Sequence, residues 1–343
     1  MQSPRPPLPS WSRFVLHACV VLAFLIVTGT ADAQKLPKLT LAGPPASVSN
    51  PLIHMVDSGA LADVAERVEF VLWRDPDQLR VMALDGRADV LAMPTNVAAN
   101  LHNRGAKLQL LNVSTWGVLW LVSRDPTLKS LADLRGKELA VPFRGDMPDI
   151  VFQLLAEQQG VDLRKDVQLR YVASPIDAMQ LLVMRRVDHA LLAEPAVSMA
   201  LRKTGSFPLS VIAPELHRSV DLQQEWGRVF ARSARIPQAG IAVMGALRER
   251  PDVVARIEAE YARSLAWCRD HAEACGQGVA ARIDMLSAEA VADSIAVSQM
   301  DAVPAHAARA ELEFMFGQLM KKSPALIGGK LPDDGFYGGA GAQ

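Results

Sequence analysis

Residues 138–159 read Glu138-Leu139-Ala140-Val141-Pro142-Phe143-Arg144-Gly145-Asp146-Met147-Pro148-Asp149-Ile150-Val151-Phe152-Gln153-Leu154-Leu155-Ala156-Glu157-Gln158-Gln159. The run Glu138–Phe143 is short and mostly apolar, without alternation, which suits a strand covered on both faces. A tight turn follows, then Met147-Pro148 and a helical pattern over Ile150–Gln159 that Gly160 closes. Proline at a helix start is preorganised, because its missing N–H would have no partner there anyway. Glycine past the last turn accepts the left-handed conformation that ends a helix. Strand, turn and helix in that order is the unit of an α/β protein with parallel sheets.

The same unit recurs on both sides. Strand candidates are Leu39–Gly43, Val68–Trp73, Ala88–Met93, Leu108–Val113, Val118–Ser123, Val167–Val172, His189–Ala193 and Leu209–Ala213. Helical patterns lie between them at Leu52–Ser58, Asp77–Leu84, Val97–Arg104, Ala178–Val187 and Ala196–Lys203. Asn50-Pro51, Met93-Pro94-Thr95, Ser174-Pro175 and Glu194-Pro195 repeat the proline start, Ser174 with Asp177 adds a capping box, and Gly105 and Gly205 close helices. These turns sit at the carboxyl ends of strands, the edge where open α/β sheets bind ligands. Beyond residue 250 the pattern turns helical without strands, at Pro251–His271, Ser287–Ser298 and Pro304–Lys321, and the glycine-rich end after Gly335 reads as frayed.

At 343 residues, 50 % hydrophobic and 21 % charged, the chain is long enough for about two domains. Lys+Arg 36 against Asp+Glu 37 gives a net charge of -1, so nothing offers the basic excess that nucleic acid requires. Residues 1–33 read as a signal peptide: Arg5 and Arg13, an apolar stretch Phe14–Val27, and Ala31-Asp32-Ala33 before a cleavage point. A retained membrane anchor is the alternative, although the stretch is shorter than the ~20 residues a spanning helix needs. Leu16-His17-Ala18-Cys19 departs from a lipoprotein box, since the apolar run follows the cysteine. Cleavage after Ala33 removes Cys19 and leaves Cys268 and Cys275, for which an oxidising compartment favours a disulfide. On one continuous helix two positions seven apart lie ~10.5 Å apart along the axis, too far to bridge. The helix must therefore end near His271, with Gly276 helping the turn; a metal held by Cys268, His271 and Cys275 is the alternative.

Ser130-Leu131-Ala132-Asp133-Leu134-Arg135-Gly136-Lys137-Glu138-Leu139-Ala140-Val141-Pro142 resembles a signature of extracytoplasmic substrate-binding proteins. Leu84-Asp85-Gly86-Arg87-Ala88-Asp89-Val90 and Arg186-Val187-Asp188-His189-Ala190, leading to Ala193-Glu194-Pro195-Ala196, match further elements in the same order. The chain thus resembles the periplasmic binding proteins of ABC transporters in the nitrate/sulfonate/taurine/thiamine-precursor class. That resemblance implies the type II periplasmic-binding fold: two α/β lobes with parallel-rich sheets flanked by helices, and a helical C-terminal portion. Lobe I would be residues 34–124 plus 239–343 and lobe II residues 125–238, with crossovers at Leu119–Ser123 and Ile241–Met244. It also implies a monomer that closes by a hinge over a small molecule and passes it to a membrane permease.

With strand ends facing the cleft, the ligand-binding candidates are Ser47, Asn50, Thr95, Asn96, Thr115 and Trp116 from lobe I. Lobe II offers Arg144, Gly145, Asp146, Ser174 and Glu194. Helix starts, hydroxyls and Arg144 suit a sulfonate or other oxyanion. The carboxylates of Asp146 and Glu194 at helix starts instead favour a small nitrogenous compound stacked on Trp116. Each residue is equally suited to a structural role, as a cap, a core side chain or an ion-pair partner.

A catalytic reading finds no G-x-S-x-G, H-E-x-x-H, P-loop or G-x-G-x-x-G motif, and no cofactor motif. The histidines are scattered, and the cysteine-rich motif of pyrimidine-synthesising relatives on this fold is missing. The expectation is a non-enzymatic binder in the periplasm. A sensor module presenting its ligand to a membrane receptor is the alternative the sequence leaves open.

Overall fold

The computed structural model describes residues 35–207, 209–212 and 215–338. Two mixed sheets carry the chain. The first begins with strand β1 (Leu39–Gly43), helix α1 (Asn50–Asp57), β2 (Val68–Leu72), α2 (Pro76–Asp85), β3 (Val90–Pro94) and α3 (Thr95–Asn103). Strands β4 (Leu108–Leu110) and β5 (Asn112–Gly117) complete its first visit. The chain then crosses to the second sheet through β6 (Leu119–Ser123), β7 (Glu138–Pro142), α4 (Met147–Gln158), β8 (Gln168–Val172), α5 (Pro175–Val183), β9 (His189–Ala193) and α6 (Ala196–Gly205). A short helix α7 (Leu209–Ile212), strand β10 (His217–Asp221) and helix α8 (Leu222–Phe230) follow. The chain returns through β11 (Ala239–Met244) to α9 (Pro251–Asp270), α10 (Ala272–Arg282), α11 (Ala288–Val297), β12 (Gln299–Pro304), α12 (Arg309–Lys322) and α13 (Asp334–Tyr337).

The sheets repeat one plan. β2-β1-β3 and β8-β7-β9 are parallel trios, and each trio is continued by an antiparallel strand, β11 beside β3 and β6 beside β9. Central strands are nearly fully buried and the outer β2 and β8 are not, as the apolar runs of the former require. Strand order 2-1-3 makes a switch point beside β1 and another beside β7, and ligands bind in such crevices.

Several expectations change. Leu209–Ile212 is helical, because a short apolar run does not distinguish helix from strand. The C-terminal portion does contain a strand, β12, which pairs antiparallel with β5 and delays the last long helix to Arg309. Leu119–Ser123 pairs with β9 and β10, so the change of sheet falls at Val118, before Arg124. Pro94 and Pro195 occupy the position before their helices and not the first turn, and the Glu194–Pro195 peptide is cis. Phe336 and Tyr337 are buried, so the chain stays packed beyond Gly335. The signal-peptide segment, residues 1–33, lies outside the described residues.

α9 ends at Asp270 and α10 starts at Ala272, and this break lets Cys268 and Cys275 form a disulfide with their Cα atoms 5.1 Å apart. Gly276 plays another part than turning the chain. It lies inside α10, where an added Cβ would come within 2.2 Å of the Ala288 carbonyl oxygen, so its missing side chain lets α10 and α11 pack closely. None of the described helices is long and apolar enough to cross a membrane.

His189 opens β9 almost fully buried, with Nδ1 2.8 Å from Ser123 Oγ. Burial, with Lys137 nearby, holds its imidazole below the usual histidine range, so the folded chain keeps it neutral. A depressed folded value contributes stability above the unfolded value and loses it as pH falls through the folded one. Thermal unfolding from pH 7.5 to 5 should show a falling midpoint, and His189→Gln should flatten that fall. An unchanged slope in His189→Gln would remove His189 from the account.

Candidate functional site

The loops after β1, β3, β7 and β9 converge on a cavity of about 490 Å³. Its lining comes from both sheets: Ser47, Trp73, Met93 and Thr115 from the first, Phe143, Asp146, Ser174, Ile176 and Glu194 from the second. The walls are predominantly apolar, and that volume lies in the ~300–1,000 Å³ range of organic-ligand sites.

Ser47 opens a short 3-10 turn (Ser47–Ser49) after β1. Gly43 admits this turn, since a Cβ there would lie 2.3 Å from Ser49 Oγ, which donates to the Pro44 carbonyl at 2.6 Å. From behind, the buried Tyr261 of α9 donates to the Val48 carbonyl at 2.9 Å and lies 2.8 Å from Ser114 Oγ. Burial raises the Tyr261 phenol above its ordinary range, so it stays a donor. The Oγ of Ser47 and Oγ1 of Thr115 are buried and have no hydrogen-bond partner in the chain. Two unmatched hydroxyls on one side of a cavity are the polar handles a ligand would satisfy.

The second sheet supplies carboxylates that are already engaged. Glu194, with no side-chain exposure, accepts from Arg218 Nη2 at 2.7 Å, and its other oxygen accepts from the Ser198 amide at 3.0 Å. Arg218 also donates to Ser198 Oγ at 2.9 Å and lies over the Trp120 ring. Asp146, before α4, accepts from Arg80 Nη2 of α2 at 3.1 Å, an ion pair that ties the two sheets together across the cavity. Burial pushes the Asp146 carboxyl up, against the opposing pull of Arg80. Ser174 caps α5 by accepting from the Asp177 amide at 3.2 Å.

The remaining sequence candidates sit elsewhere. Trp116 is a core residue of β5, 2 % exposed, its Nε1 donating to the carbonyls of Asp301 and Val113, and it is not among the cavity-lining residues. The sequence pattern places it in a turn, since the apolar run ends at Val113, whereas β5 runs through Gly117. Thr95 donates to the Pro237 carbonyl at 2.6 Å, Asn50 and Asn96 are buried at helix starts, and none of the three lines the cavity. Arg144 is exposed, over the Tyr171 ring at 4.9 Å, and Gly145 donates its amide to the buried Asp149 at 2.8 Å. Neither lines the cavity. Sequence reading missed Trp73, Phe143, Arg80 and Arg218; Trp73 and Phe143, each at the carboxyl end of a strand candidate, stood where such residues could have been sought.

Residues 62–261 match the family model described as ABC transporter, phosphonate, periplasmic substrate-binding protein. The chain belongs to this family. It is the periplasmic substrate-binding component of an ABC import system, and the family's location places it outside the cytoplasm. No curated protein matches it. Among solved structures, an ABC transporter protein from Parabacteroides distasonis is 20 % identical, with a TM-score of 0.72 over 89 % of this chain and 99 % of that one. The aliphatic sulphonate binding protein SsuA from Escherichia coli is 16 % identical, with a TM-score of 0.62 over 86 % and 92 %. The nitrate-binding protein NrtA from Synechocystis is 12 % identical, with a TM-score of 0.67 over 84 % and 82 %. At these identities the likeness establishes the type II periplasmic-binding fold, and the family, SsuA and NrtA are described as binding proteins.

Arg80 opposes the upward push on Asp146, so removing the guanidinium should raise the Asp146 carboxyl further. Carboxyl titration by NMR of Arg80→Ala against the unchanged chain checks this. A titration of Asp146 that does not move would show that the ion pair does not form in solution.

Proposed function

We propose that this substrate-binding protein captures a small organic molecule reversibly in the cavity between its sheets and releases it, chemically unchanged, to a membrane permease. The observation that carries the reading is the lining itself: one apolar cavity contributed by both sheets, whose lining residues include Ser47 and Thr115, with buried, unpartnered hydroxyls, and the engaged carboxylates of Asp146 and Glu194. No group in this set is arranged as a nucleophile beside its base. Ser47 and Thr115 have no imidazole or carboxylate partner, and His189 is spent on Ser123.

The lobes follow the sheets. Lobe I holds the chain to Gly117 and from Ala239 onward; lobe II holds Leu119 to Phe230. The hinge is Val118 together with 231–238. Gln223 supports this assignment: its side chain accepts from the Leu119 amide at 3.0 Å and donates to the Leu119 carbonyl at 3.1 Å, fixing the backbone where the chain changes sheet. Export with cleavage after Ala33 and action as a monomer complete the proposal; the disulfide of Cys268 and Cys275 suits an oxidising compartment.

A thermal-shift screen of small organic solutes tests capture, with recovery of the ligand by mass spectrometry. A true ligand at about 100 times its Kd adds about 2.7 kcal/mol of stability. Ser47→Ala and Thr115→Val should each weaken its binding by about 1 kcal/mol, roughly fivefold. Unchanged affinity in both variants would move the site elsewhere, and a modified ligand would contradict the non-catalytic reading.

A further inference from the structure

We infer that the ligand is an uncharged organic molecule with a ring-bearing apolar body, and not a phosphonate, sulfonate or nitrate anion. The inference rests on the capture reading above and specifies what is captured.

An oxyanion in a cleft of this kind needs free cations or free backbone N–H groups at helix starts. The helix starts around this cavity have few of either to spare. Pro76, Pro94, Pro148, Pro175 and Pro195 all line it, and each stands at a helix-start position without an N–H to offer. At three of these helices amides just beyond are taken by the protein's own acceptors, whereas α3 and α4 have no side-chain cap. At α2 the Asp75 carboxylate accepts from Asp77 and Gln78 at 3.0 and 2.9 Å. At α5 Ser174 accepts from Asp177, and at α6 Glu194 accepts from Ser198.

The arginines that reach the cavity's carboxylates are likewise committed. Arg80 pairs with Asp146 and Asp77, and Arg218 with Glu194. Among the described lining residues Arg74 is the one basic side chain, and it is exposed, whereas Asp146, Asp177 and Glu194 are acidic. An anion placed inside these mainly apolar walls would lose its hydration for few matching donors. An added positive charge meets carboxylates that are already engaged, since Asp146 and Glu194 hold arginines and Asp177 accepts from Ser174 Oγ at 2.7 Å.

What the cavity offers instead is apolar surface and rings. Trp73 comes from the first sheet, its Nε1 already bonded to the Ala92 carbonyl at 3.2 Å. Phe143 comes from the second, with a backbone φ of 55°, a left-handed conformation unusual for a bulky residue. The chain sustains that conformation where it adds an aromatic wall to the cavity. Ser47 and Thr115 then supply hydroxyls that can donate to or accept from a neutral carbonyl, amide or ring nitrogen.

Matched pairs test the charge of the ligand with size and shape held nearly constant: benzamide against phenylphosphonate, and propionamide against ethylphosphonate. Isothermal titration of the full chain should give benzamide a Kd at least about tenfold below that of phenylphosphonate. Phe143→Ala should raise the benzamide Kd about tenfold. Phe143→Leu, which keeps an apolar side chain, serves as the folding control and should fall between. Equal or tighter binding of phenylphosphonate would overturn the ligand class and leave capture standing. Benzamide binding that neither Phe143 variant alters would also overturn it. Binding of no member of either pair would overturn the class and the capture reading together.

Discussion

Two passages of the chain between the sheets set the rest of the architecture. The parallel trios β2-β1-β3 and β8-β7-β9 are each extended by a strand delivered by a crossing segment, β11 into the first sheet and β6 into the second. Each crossing strand arrives antiparallel, next to the carboxyl-end loops of β3 or β9. The crossing is held tightly. Gln223 meets both the amide and the carbonyl of Leu119, the Glu194 amide donates to the Val118 carbonyl, and the Gln238 amide donates to the Thr115 carbonyl. The same few residues that carry the chain across thus bring Thr115 from one sheet and Glu194 from the other to one cavity.

The electrostatics of that cavity are largely internal. Five helices start around it, and helix starts carry partial positive charge. In many α/β proteins that charge is left for a bound anion. Here it is answered at three of them by Asp75, Ser174 and Glu194, and the carboxylates of Asp146 and Glu194 are answered by Arg80 and Arg218. The family model is described by phosphonate and two of the structural neighbours by sulphonate and nitrate, yet the groups lining this chain's cavity are mainly apolar. Apolar walls with a few fixed polar groups recognise shape first and hydrogen bonding second.

Much of the fold was legible because buried central strands announce themselves. Leu39–Gly43 and His189–Ala193 were read at their observed bounds, and Glu138–Phe143 within one residue. Strands at the sheet edges were not. His217-Arg218-Ser219-Val220-Asp221 and Gln299-Met300-Asp301-Ala302-Val303-Pro304 have polar or half-exposed residues and no sustained apolar run. For the site, the rule that strand ends face the crevice brought Ser47, Asp146, Ser174 and Glu194 to the cavity, and Thr115 reached it from within β5. The rule could not tell which side chains turn inward. Arg144 goes out to Tyr171 and Trp116 into the core, whereas Arg80 and Arg218 meet carboxylates 66 and 24 residues away in sequence. The left-handed backbone at Phe143 belongs to the same class of fact, since only the folded turn reveals it.

The central claim is that ligand is held between the two sheets, against Ser47 and Thr115 on one side and Phe143 on the other. A crystal structure of the protein grown with its tightest-binding small molecule tests this directly. The account predicts ligand density inside the cavity, within hydrogen-bond distance of Ser47 Oγ or Thr115 Oγ1 and in contact with the Phe143 ring. Ligand density outside that cavity, for example beside Arg144 on the surface, would contradict it.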